Sequence, residues 1–246
     1  TRALVIFTRK DRKVTGVARF NDKRQVGAFA WVNNERVAFT MSDRGGRLVR
    51  PQPRGELLFM AANGKDKAAY AGGNRGSLLT RTLRDDSDWV VVTDYVPSGR
   101  HEETEVVLYR VNAKTAKSQK VAFSPVPNAQ FVVSREGEAR VATGGAGYRD
   151  SEVHYFDSES KTWHKIFSEK DAGVTMNPWV MHGDGKRFYA VMEEKTGPDA
   201  LYLVDPNGNR ELVARDEVSS PQTAVMSLDG KDVIAVTFNS TMPKRQ

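Results

Sequence analysis

Short apolar runs of strand length alternate with polar turns along the whole chain, and one run keeps returning. Leu108-Tyr109-Arg110-Val111-Asn112 recurs as Val153-His154-Tyr155-Phe156-Asp157 and as Leu201-Tyr202-Leu203-Val204-Asp205. Weaker copies are Leu4-Val5-Ile6-Phe7-Thr8 and Leu58-Phe59-Met60-Ala61-Ala62. The copies begin at 4, 58, 108, 153 and 201, in steps of 54, 50, 45 and 48. Each leads through a polar turn, such as Asn63-Gly64-Lys65 or Pro206-Asn207-Gly208, into a second short apolar stretch. That is the pattern of a β-hairpin. A second hairpin lies between these. Trp179 to His182 turns through Asp184-Gly185 into Phe188 to Val191, and Ala224 to Ser227 turns through Asp229-Gly230 into Val233 to Val236. Phe131 to Ser134 and Phe29 to Val32 begin equivalent hairpins. Asp-Gly between apolar runs marks a hairpin because both residues tolerate positive φ.

A repeat of this length holding four strands describes a propeller blade. No stretch keeps a helical 3.6-residue period over ten or more residues. The expected fold is therefore all-β, a β-propeller of four-stranded antiparallel blades near 25–73, 76–124, 126–168 and 174–215. Half-blades are expected at 3–20 and 222–239, giving about five blades' worth in a single segment, 1–246. The halves either complete one another in a five-bladed ring or are cuts through a longer propeller, and the irregular ends favour the cut. A cut leaves apolar faces and open strand edges, through which the chain could self-associate.

Composition narrows the chemistry. The 246 residues include no Cys, which removes a disulfide scaffold, a thiolate zinc site and a cysteine nucleophile. Lys and Arg number 37 against 31 Asp and Glu, a net charge of +6. The two signs are interspersed rather than blocked, so the surface reads as basic but ordinary and no nucleic-acid partner is expected. No apolar run approaches membrane-spanning length, so no membrane partner is expected either.

Several phrases resemble the propeller of bacterial serine peptidases of the prolyl oligopeptidase family, including its dipeptidyl and acylaminoacyl peptidase-like members. They are Gly16-Val17-Ala18-Arg19-Phe20, Phe29 to Val37, Gly55-Glu56-Leu57-Leu58, Tyr109-Arg110-Val111-Asn112 and Gly197-Pro198-Asp199-Ala200-Leu201-Tyr202. The Ser227-Leu228-Asp229-Gly230-Lys231 turn is similar too, although it also occurs in other bacterial propellers. The resemblance covers essentially the whole chain. It implies a C-terminal α/β-hydrolase domain as partner, oligopeptide substrates and export to the periplasm or beyond; the residues themselves leave a cytoplasmic location open. The chain has no G-x-S-x-G nucleophile elbow and no alternating strand–helix region to hold one. Its implied role is gating and selecting peptides for a hydrolase domain not present here, with no catalytic residue and no cofactor. The alternative is a self-contained propeller that binds a protein or ligand.

No histidine among His101, His154, His164 and His182 has metal-site spacing, and ordinary polar or packing roles are expected. Gly72 to Gly76 and Gly144 to Gly147 lack the Lys-Ser/Thr ending of a phosphate loop and read as turns. Trp31, Trp89, Trp163 and Trp179 fall on strands and read as packing residues. The loops between second and third strands, at 43–55, 94–104, 144–151 and 194–199, are the long ones, and in such a blade they share one face. Candidate binding residues there are Arg44, Arg47, Arg50 and Arg54 in the first loop, Glu102 and Glu103 in the second, and Glu193 and Glu194 at the fourth. Paired glutamates bind a peptide's α-ammonium in the dipeptidyl members of the resembled family. Neither pair here has the preceding aromatic residue of that motif.

Overall fold

The computed structural model describes residues 2–21, 23–43, 52–72, 76–83, 85–97, 103–147, 149–239 and 243–245, with backbone alone for 52–54 and 243–245. The chain divides into two compact units, Thr1–Phe123 and Ser124–Gln246. In the first, β1 (Leu4–Phe7) pairs antiparallel with β2 (Val14–Ala18). A four-stranded meander follows, β3 (Arg24–Trp31), β4 (Arg36–Asp43), β5 (Gln52–Ala61) and β6 (Ala68–Ala71). A second contains β7 (Ser77–Thr82), β8 (Trp89–Pro97), β9 (Thr104–Asn112) and β10 (Ser118–Phe123).

The second unit repeats the plan. One sheet is β11 (Gln130–Val133), β12 (Ala139–Gly144), β13 (Glu152–Asp157) and β14 (Thr162–Ser168). After the single helical turn α1 (Glu169–Ala172) comes β15 (Met176–Met181), β16 (Phe188–Met192), β17 (Ala200–Val204) and β18 (Arg210–Ala214). The last sheet joins β19 (Pro221–Met226), β20 (Val233–Asn239) and β21 (Pro243–Arg245). The polar run of β21 carries no apolar alternation, which is why the pattern reading stops at the strand before it.

Two physical features generate this repetition. The first is burial on both faces of the inner strands. Every residue of β16 is buried. Phe188, Ala190 and Met192 pack with Val141, Val153 and Tyr155 of the preceding sheet, whereas Tyr189 and Val191 pack with Val236 and Phe238 of the following one. Side chains alternate sides along a strand, so one continuous apolar run serves two interfaces. In the first unit β4 does the same: Val37 and Phe39 face Leu4 and Ile6, and Ala38 faces the cluster holding Val90 and Val92. Each fully buried side chain of this size contributes about 1.5–3 kcal/mol.

The second feature is the turn chemistry. The last residue of each of the three strong runs closes its own hairpin: the side-chain oxygens of Asn112, Asp157 and Asp205 accept backbone N–H bonds from Lys114, Glu159 and Asn207, respectively, at 2.8–3.0 Å. This is the Asx turn that Asn and Asp favour. The turn between first and second strands also reaches the next sheet. Asn33 Nδ2 donates to Ser87 O (3.1 Å) and Asp88 Oδ1 (3.0 Å). In the second unit the corresponding β15–β16 turn reaches the next sheet through His182, whose Nε2 lies 3.2 Å from Asp232 Oδ1.

Candidate functional site

The long-loop residues are distributed more widely than the sequence suggests. Arg44, Arg47, Arg50, His101 and Glu102 lie outside the described residues. Arg54 is not in a loop: β4 and β5 stay paired out to Asp43 and Gln52, so 52–55 is strand. The second loop is likewise shorter than 94–104, because β8 and β9 pair out to Pro97 and Thr104. Proline and polar residues in both segments hide strands whose ladder continues past the apolar core. Glu103 is half-buried just ahead of β9.

Glu193 and Glu194 follow β16 directly, and each carboxylate has its own structural partner. Glu193 Oε2 accepts from the Thr175 N–H at 3.2 Å while its own N–H donates to Thr175 O at 3.0 Å, tying the loop to the start of β15. Glu194 Oε1 accepts from the Tyr202 hydroxyl at 2.5 Å. Burial, and then this bond to a carboxylate, push the Tyr202 hydroxyl above its ordinary pKa. Arg215 Nη2 donates to Thr196 O at 2.9 Å and holds the middle of the same loop. The two carboxylates thus brace a loop through different partners, and each keeps one oxygen uncommitted in these bonds.

A cleft of about 790 Å³ lies in the second unit, where the 157–159 and 206–207 turns meet Gly185 and Lys186. Tyr155, Phe156 and Ile166 line it together with Arg140, His164 and Lys186. Arg140 is fixed on two sides, by Glu138 Oε2 at 2.6 Å and by the Ser158 hydroxyl. Of the acids nearby, Asp157 closes its turn and Glu152 holds His154 (2.7 Å) and Lys165 (3.0 Å), while Glu159, which also lines the cleft, is exposed. The sequence does not announce this cleft, because its polar groups come from turns of two successive repeats and each turn by itself reads as solvated.

Behind the cleft, Asp184 organises the β15–β16 turn. Its Oδ1 accepts from the N–H groups of Lys186 (2.8 Å) and Arg187 (2.9 Å), and its Oδ2 from Arg187 Nε (2.6 Å). Burial pushes the carboxyl pKa up, but the Arg187 guanidinium and the two amides outweigh it and hold it well below the usual carboxylate range. Ionised Asp184 therefore adds stability above about pH 4, where an unfolded carboxyl is already charged, and that contribution fades as pH falls further. Asp184→Asn is expected to lower the thermal midpoint most at neutral pH, with the gap from wild type shrinking towards about pH 2. Melting curves at several pH values check this; parallel pH dependences of the two proteins would contradict it.

His154 and His182 meet carboxylates and His164 meets the Thr162 hydroxyl at 3.1 Å. Among the described residues no serine hydroxyl is hydrogen-bonded to a histidine, and no group of three or more metal-ligating side chains converges. Also among the described residues, no helix is long and apolar enough to cross a membrane.

No family model matches the chain, and no curated protein does. Solved structures do. A structure from a study of two prolyl endopeptidases superposes with a TM-score of 0.60 at 14% identity, covering 92% of this chain and 34% of that one. A putative TolB from Agrobacterium tumefaciens gives 0.54 at 14% identity, covering 96% of this chain and 77% of that one. Dipeptidyl peptidase 4 of Porphyromonas gingivalis gives 0.50 at 12% identity, covering 84% and 34%. The chain thus spans about a third of the length of both peptidases. At these identities the likeness shows the fold: the chain is a β-propeller of four-stranded antiparallel sheets.

Proposed function

We propose that the chain is the non-catalytic propeller of a serine peptidase of the prolyl oligopeptidase type, selecting peptides for a hydrolase domain carried elsewhere in the same protein. The observation that carries this reading is the superposition on a prolyl endopeptidase over 92% of this chain and 34% of the other. The family-like phrases of the sequence support it independently. Sheets buried on both faces make a stiff wall, and a stiff wall is what size selection requires. The loops after second strands, braced as at Glu193 and Glu194, are the segments such a wall presents to a peptide. Export to the periplasm follows from the same reading.

The exposed apolar side chains of β1–β2 (Val5, Phe7, Val14, Val17) and of β19–β20 (Val225, Ile234) fit it too. They are faces on which further blades of the parent, or second copies of this chain, would stack. The test is turnover of chromogenic aminoacyl-proline peptides by this chain and by the full-length protein that carries it. Activity is expected only in the latter; turnover by the chain alone would overturn the proposal.

A self-contained binding propeller is the second reading. The match to the putative TolB favours it, because that structure is covered to 77% and leaves less room for another domain. It requires a protein or ligand retained by this chain with the same affinity whether or not any hydrolase domain is attached.

A further inference from the structure

In the first unit a second, smaller cavity of about 290 Å³ opens between β2 and its extension at Phe20 on one side and β5–β6 on the other. Its walls are apolar: Phe20, Phe39, Leu58 and Ala68, with the two phenylalanine rings 6.3 Å apart and tilted by 45°. Phe39 is buried and fixed by the sheet behind it. Two cations stand at the mouth, Arg19 and Lys67. Both are exposed, and among the described residues neither is engaged by a carboxylate. An apolar hole rimmed by two cations that no described carboxylate engages is complementary to an apolar group that ends in an anion. The volume decides how large that group is. It sits at the small end of ligand cavities, enough for one side chain and too little for a long acyl chain. The surroundings decide what kind of molecule carries it. Among the described residues β6 is the edge strand of its sheet, and its one strand partner is β5. Its outer N–H and C=O groups are available to an extended backbone lying alongside.

We infer that this cavity binds the C-terminus of a peptide that ends in an aromatic or branched apolar residue. The last side chain enters between Phe20 and Leu58, the terminal carboxylate meets Arg19 and Lys67, and the preceding backbone runs along β6. Arg19 gives the carboxylate a forked donor and Lys67 a point charge. Nothing in this site overlaps the second-to-third-strand loops, so it is separate from the peptide-sorting role proposed above.

The probe pair is N-acetyl-Ala-Ala-Phe as the free acid and as its C-terminal amide, titrated calorimetrically into the intact chain. The acid is expected to bind at least about tenfold more tightly than the amide, with the difference reduced at high salt. Changing both Arg19→Gln and Lys67→Gln, which are exposed and leave the core untouched, is expected to abolish the difference and retain the weak amide binding. Phe20→Ala is expected to weaken both probes together. Equal affinity for acid and amide, binding of the acid unchanged by the double substitution, no saturable binding of the acid at millimolar concentration, or decanoate binding more tightly than the peptide would each overturn the inference.

Discussion

Phe188→Ala is expected to cost about 3–5 kcal/mol of stability, the largest loss from any single truncation considered for the second unit. Phe188 has no exposed surface and lies in β16, with every residue of that strand buried. Its ring is shared between its own sheet and the one before it, through Val141, Val153 and Tyr155. Removing it leaves a cavity that neither rigid sheet can close without moving the other. Urea denaturation followed by circular dichroism checks the value, with Leu228→Ala, fully exposed at 101%, as the control expected within about 0.5 kcal/mol of wild type. A loss under about 1 kcal/mol for Phe188→Ala would mean that the sheets do not stack through this strand.

Gly55→Ala is expected to be comparably severe, at about 3 kcal/mol or more, although it adds only one carbon to a half-buried position. Gly55 has φ +78° in β5, and a Cβ there would sit 2.4 Å from the Cα of Gly76. Gly76 itself has φ +107°, so two glycine backbones pass each other at a distance that tolerates no side chain on either. Two controls separate the causes. Gly185 has φ +70° with nothing within 4 Å of the added carbon, so Gly185→Ala tests dihedral strain alone and is expected to cost about 1–2 kcal/mol. Gly147 faces open space without a positive φ, and its substitution is expected to be near neutral, within about 0.5 kcal/mol. If Gly55→Ala costs no more than Gly185→Ala, the close approach of the two backbones is not what requires glycine.

These two positions also show what a sequence reveals. The double alternation of β16 is legible, because Phe188-Tyr189-Ala190-Val191-Met192 is an unbroken apolar run between an Asp-Gly turn and a pair of glutamates. The blade repeat is legible for the same reason, and so is the Asn or Asp that ends Val111-Asn112, Phe156-Asp157 and Val204-Asp205. The Gly55–Gly76 approach is not, since it brings β5 against the residue just ahead of β7 in the next sheet. Pro53 and Pro97 disguise strand ends as loops, which misplaces Arg54 and lengthens two loops on paper. Neither cavity announces itself. The walls and cations of each come from two sheets, and Arg19, Lys67, Arg140 and Lys186 each read as ordinary solvated charges when taken one at a time. Glu193 and Glu194 stand out in the sequence as a pair, yet in the fold they turn to Thr175 and Tyr202.

As proposed above, this propeller sorts peptides for chemistry performed elsewhere. The most direct measurement compares the full-length protein that carries the chain with a variant whose 194–199 loop is replaced by a short Gly-Ser turn, each offered a graded series of proline-containing peptides. Unchanged rates are expected on the shortest aminoacyl-proline substrates, together with a shifted upper size limit and faster cleavage of longer peptides by the variant. An identical size profile for the two proteins, or activity residing in the isolated chain, would contradict it.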